Sequence, residues 1–155
     1  MAGDDVAPAA LILVEPDGSA RIVADALYFP NGSVITPDGR TLLVDETFAN
    51  RVSAFDIAAD GSLGPRRDWA VFGPRAASST LDAARGGPTL LVAEGGRILD
   101  RVDAGSPVFA CMPGGPDGRD LFLCCAPDFD EDSRTAAAEA TVRFTRVTTP
   151  HGGRP

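Results

Sequence analysis

The stretch Phe29-Pro30-Asn31-Gly32-Ser33-Val34-Ile35-Thr36-Pro37-Asp38-Gly39-Arg40-Thr41-Leu42-Leu43-Val44-Asp45-Glu46 sets two short apolar runs on either side of a Pro-Asp-Gly turn. Two antiparallel strands joined by a tight connection leave this pattern in sequence. Working outward, Asp17-Gly18-Ser19 returns as Asp60-Gly61-Ser62, 43 residues later. A period of about 40 to 45 residues with four strands per unit is that of propeller blades. The turn at Asp38-Gly39 is echoed faintly by Leu81-Asp82-Ala83, 44 residues on, and clearly by Pro116-Asp117-Gly118-Arg119, only 35 residues further. The first series shortens in the same place, since Glu94-Gly95-Gly96 follows Asp60 by 34 residues. About nine residues are missing from each series, the length of one strand with its turn. The spacing predicts a blade that lacks a strand between Asp82 and Thr89.

The remaining segments fit the same scheme. Leu11 to Val14 and Ser19 to Asp25 form a hairpin, with Ala20, Ile22 and Ala24 sharing a face. Asn50 to Ile57 reads as a half-buried strand with Val52 and Ala54 inward and Ser53, Phe55 and Asp56 outward. Leu63 to Phe72 carries Pro65 and reads as an edge strand, because proline cannot donate to a ladder. Thr89 to Val92 pairs with Gly96 to Val102, and Val108 to Met112 with Asp120 to Cys125. Asp130 to Ala140 predicts one short helix capped by Asp132, before a final strand from Thr141 to Thr148. The expected fold is all-β, a partial propeller spanning 11–149 between disordered segments at 1–10 and 150–155.

Composition supports this reading and excludes several functions. In 155 residues, 44% are hydrophobic, and the 17 glycines and 13 prolines suit many short strands joined by turns. A net charge of −8, with 14 scattered basic residues that are all arginine, argues against nucleic acid as a partner. Cys111, Cys124 and Cys125 are odd in number and lack metal spacing, which points to a reducing cytoplasm. The apolar run at Ala9 to Val14 is too short for a signal peptide or a membrane span.

Phe29-Pro30-Asn31-Gly32, Thr36-Pro37-Asp38-Gly39-Arg40-Thr41-Leu42, Glu46-Thr47-Phe48-Ala49-Asn50-Arg51, Phe55-Asp56-Ile57 and Asp60-Gly61-Ser62-Leu63 closely resemble the senescence marker protein (regucalcin), gluconolactonase and luciferin-regenerating-enzyme-like family. Phe109-Ala110-Cys111, Gly114 to Arg119 and Ala126 to Glu131 extend the resemblance. It implies a six-bladed β-propeller of nearly twice this length, of which the chain matches the C-terminal half, about three to four blades. It further implies a divalent metal, calcium or zinc, and hydrolysis of sugar lactones or related cyclic esters. By local chemistry alone Asn31-Gly32 reads as a turn; by this resemblance Asn31 is a metal ligand. The family's next ligand, an aspartate that also serves as base, aligns with Ala77 between Ala76 and Ser78, and the others belong to the absent half. No catalytic residue is identified, and the metal site is expected to be lost or incomplete.

Other candidates have structural readings. Asp82 occupies a turn, Asp45 and Glu46 read as a solvated face, and Asp128, Asp130, Glu131 and Asp132 suit a helix N-terminus. His151 is the only histidine and lies in the tail, so a Ser-His-Asp hydrolase has little to build on. Two functions remain: an impaired metal-dependent lactonase acting on a small-molecule lactone, or a non-catalytic fragment serving as an interaction module, with self-association through unpaired blade edges.

Overall fold

The computed structural model describes residues 7–72, 88–128 and 130–151. Among these lie β1 (Ala9–Val14), β2 (Ala20–Leu27), β3 (Pro30–Ile35), β4 (Thr41–Glu46), a 3₁₀ turn (Thr47–Ala49), β5 (Arg51–Asp56) and β6 (Arg67–Val71). They continue with β7 (Thr89–Val92), β8 (Ile98–Val102), β9 (Val108–Gly114), β10 (Asp120–Cys125), helix α1 (Glu131–Ala136) and β11 (Thr141–Arg146). All ladders are antiparallel, in sheets ordered β1-β2, β3-β4-β5-β6, β7-β8 and β11-β10-β9. Among the described residues, the all-β architecture of successive blade-like sheets with one short α-helix is the expected partial propeller. The strand expected to be missing before Thr89 falls on 73–87, outside the described residues. No described helix is long and apolar enough to cross a membrane.

The chain divides into two compact units, one within 7–71 and one within 72–151. In the first, Leu27, Val44 and Phe55 form a core joined by Leu11, Ala24, Leu42 and Leu63. In the second, Leu121, Leu123 and Cys125 pack with Val102, Ala104, Val108 and Val147. The recurring turns share one chemistry. Asp17, Asp38, Asp60 and Asp117 each accept a bond from the backbone N–H two residues on, and the glycine after each has a positive φ. Side-chain donors, Ser19 to Asp17, Thr36 to Asp38, Ser62 to Asp60 and Arg146 to Asp117, hold these carboxyls below the usual carboxylate range, and the backbone bonds add to the effect.

Three expectations change. Ser53 and Phe55 do not point outward: both are buried, because β5 is an inner strand and Phe55 fills the core beside Leu27. Ile22 does not share a face with Ala24. Leu11 pairs with Ala24 and Ile12 with Ile22, so Val23 is an extra residue that turns Ile22 outward while Ala24 packs inward. The helix is capped by Asp130, whose side chain accepts from the Ser133 N–H, and it ends at Ala136. Asp132 instead lies in the first turn. β6 holds the predicted edge position, starting after Pro65.

The junction of β2 and β3 is strained. Ala26 and Phe29 have φ of 54° and 53°, left-handed values that cost a residue with a Cβ about 1 kcal/mol or more. Arg66 donates to the Ala26 carbonyl at 2.8 Å, Thr47 N–H donates to the Phe29 carbonyl at 3.1 Å, and the Phe29 and Phe48 rings lie 4.5 Å apart.

Candidate functional site

The strained junction delivers the chain to Asn31. Pro30 pairs with Glu46 and Ser33 with Val44, so Asn31 and Gly32 together stand opposite the single residue Asp45. Neither has a positive φ, so the pair forms a bulge inside β3 and not a turn. Asn31 is exposed at a cleft of ≈260 Å³ that it lines with Ala10, Leu11, Pro30, Gly32, Ser33 and Val44.

That lining holds one amide and one hydroxyl but no carboxylate. A hard divalent cation takes about six to eight oxygen ligands, usually including carboxylates. Among the described residues no group of three His, Cys, Asp or Glu could hold a metal ion. The donors present at Asn31 therefore do not fit the expected calcium or zinc. Ala77 and Asp82 lie outside the described residues.

Asp45 and Glu46 are not a solvated face. Glu46 is completely buried. Its carboxylate accepts from Arg51 Nε at 2.9 Å, Arg51 Nη2 at 3.2 Å, Ser53 Oγ at 2.5 Å and the Tyr28 N–H at 2.9 Å. Arg66 lies 3.7 Å away. Burial opposes the charge, but the bonds from Arg51, Ser53 and Tyr28 outweigh it and hold the carboxyl below its ordinary value. Glu46 thus ties the β2–β3 junction to β5 and sets the backbone from which Asn31 projects. The sequence signal for it was a glutamate and an arginine five residues apart around a short turn.

Asp45 is partly buried, and that desolvation raises its pKa to about 6; Thr47 Oγ1, donating at 3.3 Å, opposes the rise, and the neighbouring Glu46 adds to it. The acidic cluster near α1 is structural. Asp130 caps the helix, and Asp128 pairs with Arg134 at 3.0 Å. His151 donates its backbone N–H to the Gly118 carbonyl, and Cys111, Cys124 and Cys125 form no disulfide, with Cys125 buried and the other two exposed.

A family model described as the SMP-30/Gluconolactonase/LRE-like region matches residues 1–126. No curated protein matches the chain in sequence. Among solved structures, a luciferin-regenerating enzyme superposes with a TM-score of 0.69 at 17% identity, over 94% of this chain and 54% of its own. A calcium-binding protein, regucalcin, from Agrobacterium tumefaciens strain C58 gives 0.56 at 20% identity, over 88% and 51%. A protein assigned as a gluconolactonase gives 0.58 at 21%, over 92% and 48%. The chain thus spans about half the length of these structures. The superpositions show the fold, the sequence match shows the kinship, and the chain belongs to the SMP-30/gluconolactonase/LRE-like family.

Proposed function

We propose that the chain is a lactonase-family propeller segment whose hydrolysis of sugar lactones or related cyclic esters is impaired when it acts alone. Such hydrolysis needs an electrophile at the carbonyl oxygen and a base for the attacking water. The observation that carries the reading is the Asn31 cleft, which offers an amide and a hydroxyl but no carboxylate to serve as base or to complete a metal site. The sequence adds that Ala77 stands where the family's aspartate aligns. A reducing compartment is the proposed setting, supported by three cysteines that form no disulfide with one another. The test is hydrolysis of a gluconolactone-type substrate by the purified chain with calcium, zinc or manganese. The expected rate matches the uncatalysed one; metal-dependent turnover overturns the proposal.

A second reading, a non-catalytic interaction module, is favoured by one observation: large apolar side chains stand exposed on the β9–β11 sheet.

A further inference from the structure

The inner strand β10 is apolar on both of its faces from Leu121 to Cys125. Leu121, Leu123 and Cys125 of β10 fill the core of their unit. On the opposite face Phe122 stands across from Met112 on one side and Phe144 on the other, and Cys124 across from Ala110 and Val142. All six are exposed, Phe144 at 70% and Val142 at 71%. An inner strand that is apolar without alternation belongs to a sheet covered on both sides. Here one side is covered.

The next row on this face, Gly114, Asp120 and Arg146, closes it with matched charge. Arg146 donates to Asp117 Oδ2 at 2.6 Å and to Asp120 Oδ1 at 2.8 Å. The face therefore has a neutral apolar centre bordered at this end by a self-satisfied polar row, as the core and rim of a protein interface are arranged. It carries no surplus positive charge that would address a phosphate backbone or an anionic membrane.

We propose that a second copy of this chain covers the face, packing its own β9–β11 sheet against it across a two-fold axis. Area supports the choice. The six side chains leave roughly 500 Å² of apolar surface open, and a standard interface of about 800 Å² per partner is a little over half apolar. Shape supports it as well. Bulky Phe144 and Val142 occupy the β11 side and the smaller Ala110 the β9 side, beside Met112. A two-fold axis along β10 sets the protruding side of each copy over the lower side of the other, the self-complementarity an isologous contact requires. Two chains of net charge −8 meet here without opposing charges at the centre. This pairing is independent of the catalytic proposal.

The test is the mass of the full chain in solution by sedimentation equilibrium over a wide concentration range. The expected wild-type species has twice the 16.0 kDa chain mass at high concentration and dissociates on dilution. Phe144→Asp should weaken pairing at least about tenfold, the effect of losing roughly 1.4 kcal/mol. Because Phe144 is exposed, its thermal melt should stay cooperative, so loss of pairing is distinguishable from unfolding. Ile22→Asp, on the exposed face of the β1–β2 ribbon, should leave pairing unchanged. Cys124 should react with a maleimide more slowly in the pair than on dilution, while Cys111, opposite Leu123 and so on the other face, should react at a constant rate. A wild-type chain monomeric throughout, a Phe144→Asp variant that pairs as before, or an Ile22→Asp variant that dissociates would each overturn the proposal.

Discussion

Arg51 holds Glu46 through two nitrogens, its Nε 2.9 Å from Oε1 and its Nη2 3.2 Å from Oε2, across a 3₁₀ turn that brings residues five apart face to face. With Ser53 Oγ and the Tyr28 N–H completing the shell, the carboxylate is fully buried and fully used. Glu46→Gln keeps the shape but sets an amide donor against donors and leaves Arg51 only the exposed Asp68, 3.7 Å away, as a carboxylate partner. A loss of about 2 to 4 kcal/mol is expected in urea unfolding at pH 7. Because the folded pKa of Glu46 lies below its unfolded value, its contribution is present above the ordinary glutamate pKa and fades as pH falls through the folded one. The difference between wild type and variant should therefore shrink on acidification; a constant difference would refute the assignment.

Asp45 runs the opposite way. Its folded pKa, about 6, lies above that of an unfolded aspartate, so folding binds a proton between about pH 4 and 6 and stability from this residue falls as pH rises through that window. Asp45→Asn removes the charge that burial disfavours. The variant should be more stable than wild type at pH 7.5, by on the order of 2 kcal/mol, and equal to it near pH 4. Melting curves across that range decide the matter, and a variant less stable at pH 7.5 would show that the charge is needed.

Gly39 and Gly61 share nearly the same backbone, with φ of 72° and 74°, yet differ in surroundings. A Cβ at Gly39 meets nothing, whereas one at Gly61 comes within 2.9 Å of Leu13 Cδ2. Both alanine variants should lose about 1 to 2 kcal/mol from the left-handed conformation. Gly61→Ala should lose a few tenths more, since the end of a flexible side chain can shift. Equal losses would mean that Leu13 moves freely.

The sequence made the turns legible because their chemistry is local: each Asp bonds a backbone N–H two residues away, and a Gly takes the positive φ. It made the family legible for the same reason, since the motifs lie in and around such turns. The β1–β2 faces were not legible, because one extra residue, Val23, reverses the alternation without any glycine or proline to announce it. Glu46 was misread because its burial depends on Ser53 of the next strand and on Tyr28, eighteen residues earlier, and alternation cannot report such partners. Asn31-Gly32 looked like a turn by composition, and only the register with β4 shows it as a bulge.

The left-handed residues Ala26 and Phe29 also filter which sequences this junction can accept. Glycine, asparagine or aspartate at either position would ease the backbone, while valine, isoleucine or threonine would add crowding to it. A single β-branched substitution at position 26 or 29 is thus expected to pull the Tyr28 N–H away from Glu46 and let water reach a carboxylate that is otherwise sealed. Replacements at these two positions are therefore expected to be tolerated only where they accept the left-handed backbone, at Phe29 with loss of its packing on Phe48, although neither side chain lines the Asn31 cleft.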